Sequence, residues 1–466
     1  MNKFLKILSI SIFGYLFGVL VLAMPYFAIA LPALFLLSLN SVVAVAAWLV
    51  SEIYLGNYQI LGANPRTIIA LVLGTIFMYK EIISYKGENL RRTFYFLKIP
   101  LLIVLLGLAT NILSGAKFPE YSRWLITLLS NLMMVLLMGF GIRNRVQFRQ
   151  VIFIFLIIVI IDCGIGIFQY LGVEQAYNIR QYLSKTQIYS PAGRILGLSR
   201  NIIEYSYILL LAFFLFAGNV IGKEIKYRQL MKFGLIILAI TLIINATRSA
   251  LGGIFAALIV YLFFHHKIFR EKTVSKQGII FCLIAMVLLF SMAYFIFQSN
   301  ESNIFSKKWL LLQDTSAVGR LSRFQLAFNI SLDNPLGIGT VNYDKYLYDY
   351  WTKLPSSRGI SLEEFSVHNN FLRTVLEYGF LGGILLLIFL VTLFRKSVVL
   401  FKKTNDAYMK NTLMGIFYFL IAYNFHIFFH NFGPFYADNL FWFFIGLLTC
   451  ANNIIYQEEG QESINA

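Results

Sequence analysis

The sequence predicts an all-α fold, a polytopic transmembrane helical bundle of about 12–14 spans with one large extracytoplasmic loop. Two observations carry that prediction. Of the 466 residues, 59% are hydrophobic and 13% are charged, and a soluble domain carries roughly 25% charged residues. Apolar runs also recur along almost the whole chain, many of them near the length of about 20 residues that crosses a bilayer as a helix. The short alternating strands of an outer-membrane barrel are missing.

Basic residues supply the threading. The net charge is +17, which in a soluble protein would suggest nucleic acid. Here Lys and Arg sit mostly in short loops between apolar runs, where they set orientation, and no nucleic acid partner is expected. The clusters are Lys86/Arg91/Arg92/Lys98, Arg143/Arg145/Arg149, Lys223/Lys226/Arg228/Lys232, Lys267/Arg270/Lys272/Lys276 and Arg395/Lys396/Lys402/Lys403/Lys410. With these on the cytoplasmic side, spans are expected at 67–85, 97–113, 123–141, 149–171, 200–220, 230–246, 249–266, 277–298, 368–394, 411–430 and 436–455. The first 56 residues hold one span or three shorter ones, broken near Pro25 and Asn40. The opening "MNKFLKILSISIFGYLFGVLVLAM" reads as a retained span, since it lacks a clean small-residue cleavage site. The chain then divides into N-terminal transmembrane helices (1–298), the large loop (299–367), and C-terminal transmembrane helices with a cytoplasmic tail (368–466). Cys163, Cys282 and Cys450 all fall in apolar runs and build neither a disulfide framework nor a zinc site.

Two outer loops are long, 172–199 and 299–367. The larger carries Trp309, Trp351 and many tyrosines, suited to stacking on sugar rings or to an interfacial belt. Within it "SRFQLAFNISL" reads as a short amphipathic helix and "DNPLGIGT" as a turn.

Arginines on the outer side run against the positive-inside rule and need a reason. They are Arg194 and Arg200 in "GRILGLSRN", Arg248 in "NATRSALGG", and Arg320 and Arg323 in "VGRLSRF". A guanidinium is always charged and grips phosphate with two donors, so several together make a phosphate-binding cup. Pairing with lipid headgroups or loop carboxylates is the alternative. Helices starting near Asn201 and Ser249 would add outward N–H groups.

His368 opens the span at 368–394 and could take a proton from a hydroxyl, or simply cap the helix at the interface. Asn369, Arg373 and Glu377 follow at four-residue spacing and share a face, so Arg373 and Glu377 can neutralise each other. Gly379, Gly382 and Gly383 read as close helix packing. Asp162 and Glu204 are intramembrane acids, read as buried partners of arginines. His426, His430 and Asn431 sit at another outer helix end, as support for a site or as nothing.

Together these pieces resemble a known family. The elements are an outer arginine heading a span in "TRSALGG", the "GR" of Gly319–Arg320, then "NPLGIGTVNY", closed by "HNNFLRTVLEYGFLGG". The pattern, over about residues 190–395, is similar to the O-antigen ligase/O-antigen polymerase superfamily of polytopic membrane glycosyltransferases. The resemblance implies a donor glycan on undecaprenyl pyrophosphate and a hydroxyl acceptor on a glycan, lipid or protein. It implies that Arg248 holds the pyrophosphate with Arg194, Arg320 and Arg323, and that His368 deprotonates the acceptor, with Asn369 and Glu377 in support. It implies inversion at the anomeric centre, no cofactor and no metal. It places the protein in a bacterial cytoplasmic (inner) membrane, active on the extracytoplasmic face, in cell-surface polysaccharide or lipopolysaccharide biosynthesis. Ligase, chain polymerase and protein O-glycosyltransferase stay open. The rival is a lipid-linked glycan flippase or other transporter, which would want charged groups nearer the bilayer midplane.

Overall fold

The computed structural model describes residues 34, 36–55, 64–84, 87, 89–184, 195–199, 201–221, 228–245, 247–269, 315–343, 346, 350, 367–430, 432–436 and 438–465. Their main helices are α1 (Ser41–Ile53), α2 (Pro65–Ser84), α3 (Leu90–Leu113), α4 (Phe118–Gly141), α5 (Arg145–Tyr170), α6 (Glu174–Ser184), α7 (Ile202–Ile221), α8 (Arg228–Asn245), α9 (Arg248–Phe269), α10 (Thr315–Asp333), α11 (Asn370–Lys403), α12 (Ala407–Ile427) and α13 (Asn439–Asn465). Among the described residues no strand forms, and one isolated bridge joins Gly433 to Tyr436. The fold is an all-α polytopic bundle.

Among the described residues eight helices are long and apolar enough to cross a membrane: α2, α3, α4, α5, α7, α9, α11 and α13. Each expected span from 67–85 to 249–266, and from 368–394 onward, falls on one helix. The span expected at 277–298 and the first 33 residues lie outside the described residues, as do Arg194, Arg200, Trp309, Trp351 and Asn431. The stretch 172–199 is not only a loop, because α6 occupies part of it. Ala176 and Arg180, one turn apart, turn inward there, while the rest of that helix is largely exposed.

In a bilayer, helices gain little from burying apolar surface against each other, so close packing and polar contacts hold them. Small residues set the tightest pairs. A methyl on Gly74 of α2, Gly218 of α7 or Gly253 of α9 would lie within 2.5 Å of backbone in α4 or α12. Those contacts belong to α2–α4, α7–α12 and α9–α12, the most extensive helix pairings of the bundle. Outward faces stay apolar at helical spacing, as with Leu102 and Leu105 on α3 and Ile384, Leu387, Ile388 and Val391 on α11. Such a belt fits lipid contact. Helix α12 is different. It packs on α7, α9 and α11 and buries Asn411, Thr412, Tyr423 and His426. Protein rather than lipid surrounds it, so it can carry polar side chains.

The two ends of the bundle differ. At one end ion pairs link Arg143 to Glu81, Arg145 to Glu458 (2.6 Å), Arg149 to Asp406 and Lys403 to Glu459 (2.9 Å). This end also carries Lys98, Arg395, Lys396, Lys402 and Lys410. At the other end Arg66 pairs with Glu52, and Asn439 Nδ2 donates to the same carboxylate at 3.1 Å, tying α1, α2 and α13. Helices α7, α9, α11 and α13 all begin at that second end.

Candidate active site

Arg248 is the first residue of α9 and is half-buried. The α8–α9 linker is two residues long, as the tight hairpin implied. One residue on, Ser249 Oγ lies 2.7 Å from His426 Nδ1 and 2.6 Å from His430 Nε2. One turn below, a methyl on Gly252 would run into the Phe425 ring and one on Gly253 into the Ala422 carbonyl. The "GG" of "TRSALGG" thus lets α9 approach α12 closely enough for a short serine to reach two histidines.

Phe428, between those histidines in sequence, carries the contact onward. Its ring centroid is 6.3 Å from that of Phe324 and 6.5 Å from that of Phe371. Phe324 adjoins Arg323, which is buried on α10, and Phe371 lies in the first turn of α11, three residues past His368. Packing therefore brings Arg248, Arg323 and His368 to one region at one end of the bundle. Arg320 lies on the backbone of α10, and its side chain is outside the described residues.

His368 has φ 50°, in the left-handed region that non-glycine residues rarely occupy. Such strain persists only where the surroundings impose it. The next residue imposes part of it: Asn369 is the N-cap of α11, its side chain accepting from Leu372 N at 2.9 Å. Asn369 is therefore a cap, which fixes the turn that presents His368. Arg373 Nε pairs with Glu377 Oε1 at 2.6 Å, as the spacing predicts, and its guanidinium lies 3.1 Å from the Tyr436 ring centroid. Glu377 is buried and holds that arginine in place.

The reading of Gly379 as a packing glycine needs correction. Gly379 (φ 74°, ψ 178°) breaks α11. The "DNPLGIG" loop fills the break. Ile338 N–H donates to Leu376 O (2.9 Å), Gly339 N–H to Glu377 O (3.1 Å), and Phe380 N–H to Pro335 O (3.1 Å). These bonds pair groups a broken helix would leave orphaned in a low-dielectric setting. The loop is anchored on its far side by α3. Asn111 Oδ1 accepts from Thr340 N at 2.9 Å, and Asn342 Nδ2 donates to Ser114 Oγ at 2.6 Å. The turn predicted at "DNPLGIGT" is a strut that sets the angle of the short helical piece following His368.

Residues 233–387 match the family model described as O-antigen ligase. Over this segment the chain is similar to the O-antigen ligase family. No curated protein matches the chain.

The matched segment holds Arg248, Arg320, Arg323, His368, Asn369 and Glu377, with α9 and α10 whole and the first half of α11. Helix α12 with His426, and His430 in the turn after it, lie beyond it. Asp162 of α5 belongs to a neighbouring arrangement. Its Oδ1 accepts from Leu198 N at 2.7 Å, inside the buried segment 195–199. Asn245 Nδ2 holds Ile195 O at 3.1 Å, and Gln169 Nε2 holds Gly197 O at 2.8 Å. Arg180 of α6 donates to Ser199 O at 3.2 Å. Burial lowers the Arg180 guanidinium from its ordinary value, and the nearby Asp162 charge opposes that. An arginine does face Asp162, as expected, but it is Arg180, which sequence reading did not single out. The signal was available, since Arg180 is the one cation of an otherwise neutral or acidic helix.

Proposed function

We propose that this O-antigen ligase-type membrane enzyme transfers or polymerises a glycan from undecaprenyl pyrophosphate onto a hydroxyl acceptor. The observation that carries the reading is that Ser249, Phe324 and Phe371, near neighbours in sequence of Arg248, Arg323 and the strained His368, all pack on the turn holding Phe428 and His430. Two guanidinium groups suit a leaving pyrophosphate, whose charge grows as the glycosidic bond breaks. A histidine at the same end suits removal of the acceptor's proton. The sugar is already activated by its pyrophosphate, so the residues' tasks are to hold the donor, align the hydroxyl and take one proton. In this reading Arg194 and Arg320 extend the grip on pyrophosphate. Asn369 and Glu377 keep His368 and Arg373 in register. The end of the bundle opposite the basic clusters faces the extracytoplasmic side of a bacterial inner membrane.

The test uses purified protein in proteoliposomes with a polyprenyl-pyrophosphate oligosaccharide, no ion gradient and EDTA present. Released polyprenyl pyrophosphate and glycan size are measured. Wild type is expected to turn over, and His368→Ala and Arg248→Ala to lose about 100-fold or more in rate, the scale of a lost general base or charge-stabilising donor. Intact donor moved to the opposite leaflet would favour a flippase instead.

A further inference from the structure

The Ser249, His426, His430 and Ser206 side chains form one hydrogen-bonded chain, and its polarity can be worked out. Ser206 Oγ donates its single proton to Ile203 O at 2.6 Å. Toward His426 Nε2, 2.9 Å away, it can therefore only accept, so that nitrogen carries the hydrogen. In a neutral imidazole the other nitrogen is then an acceptor. His426 Nδ1 accordingly takes the Ser249 hydroxyl proton at 2.7 Å. Ser249 has no second proton, so its bond to His430 Nε2 at 2.6 Å is one it accepts. The order runs His430 Nε2–H to Ser249, Ser249 O–H to His426, His426 Nε2–H to Ser206, and Ser206 O–H to a backbone carbonyl.

Two consequences follow. The chain ends on an amide oxygen, which cannot pass a proton on, so it is no wire to solvent. Both ring nitrogens of the fully buried His426 are also committed inside the protein, which removes it as a base for substrate. What the chain does is join three helices, α7 through Ser206, α9 through Ser249 and α12 through His426, with His430 in the turn that follows α12. It does so one residue from Arg248.

We infer that His426, His430 and Ser249 are positioning residues, a latch that fixes the first turn of α9 and so aims Arg248 at the pyrophosphate of the donor. This rests on the pyrophosphate reading above. The latch excludes rotation of the Ser249 side chain, and Gly252 and Gly253 exclude sliding of α9 along α12 by close backbone contact.

The experiment reads inhibition of turnover by inorganic pyrophosphate in a double-mutant cycle of Arg248→Ala and Ser249→Ala. Each variant is checked for a monodisperse peak in detergent. Arg248→Ala should weaken pyrophosphate inhibition, and Ser249→Ala should weaken it by about tenfold, the scale of a lost hydrogen bond to its neighbours. The double variant should be no weaker than Arg248→Ala alone, because a latch acts only through what it aims. His430→Gln, which keeps a donor toward Ser249, should restore inhibition relative to His430→Leu. Nitrogen NMR of labelled histidines should show His426 with hydrogen on Nε2 and a bare Nδ1. Additive effects in the cycle, or the opposite His426 tautomer, overturn the latch while leaving the pyrophosphate reading intact. Unchanged inhibition in Arg248→Ala overturns the pyrophosphate reading itself, and the latch with it.

Discussion

Single residues at the head of α11 carry opposed demands. Arg373 and Glu377 are both largely buried and compensate each other. Removing one partner strands a charge in a low-dielectric place, which costs about 3–5 kcal/mol. Replacing both with apolar groups of similar size removes the stranded charge and costs far less. Arg373→Met or Glu377→Leu alone should therefore lower stability strongly in a mixed-micelle SDS unfolding titration, and the double variant should recover most of it. The stacking of Arg373 on Tyr436 makes the Arg373 variant the worse of the two singles. Gly379 poses a backbone demand instead. At φ 74° an added methyl meets Leu336 C and Pro335 O at 2.6 Å, both backbone atoms that cannot swing away. Gly379→Ala should cost about 1–3 kcal/mol by the same titration. It should also depress turnover, because the helical piece that follows His368 shifts with the strut. A variant as stable and active as wild type would remove the strut from the argument.

At the scale of elements, the strut and α11 work as one unit. Without the "DNPLGIG" loop, the carbonyls of Leu376 and Glu377 would lack the donors they have. Asn111 of α3 holds the loop from behind, with one side-chain oxygen accepting from Thr340 and its nitrogen donating to Gly107 O at 2.8 Å. Asn111→Ala should leave the spans assembled and loosen the loop. Backbone amide exchange at Ile338 and Gly339, slow in the wild type, should then accelerate by an order of magnitude or more, following the lost hydrogen bonds. Equal exchange in both proteins would mean that the α11 contacts alone hold the loop. None of this unit was legible in the sequence beyond a turn and a run of glycines. Its two halves lie about 40 residues apart, and a glycine that breaks a helix looks the same as one that packs it. The histidine latch was hidden for the same reason, since Ser249 and His426 are separated by 177 residues. The spans were legible because length and apolarity are local properties. So was the Arg373–Glu377 pair, which follows from helical spacing alone.

For the whole molecule the open physical question is which end faces which compartment, and charge gives the answer to test. The end with Lys98, Arg395, Lys396, Lys402 and Lys403 holds more cations than its carboxylates can pair. The opposite end carries Arg248, Arg323 and His368, whose neighbours Ser249, Phe324 and Phe371 pack on the turn that ends α12. The positive-inside rule puts the first end in the cytoplasm, and lipid-linked glycan would then meet the second end from the extracytoplasmic leaflet. Tyr182 on α6 is 83% exposed and reports on that second end, and Lys402 reports on the first. Cys163 and Cys450 are buried, so with Cys282→Ser in place a single introduced thiol dominates the labelling. In intact cells a membrane-impermeant maleimide should label Tyr182→Cys directly and Lys402→Cys only after permeabilisation. The reverse pattern would place Arg248 and His368 in the cytoplasm. An extracytoplasmic polyprenyl-pyrophosphate donor could not reach them there, and the proposed transfer would fail on topology before any question of chemistry arose.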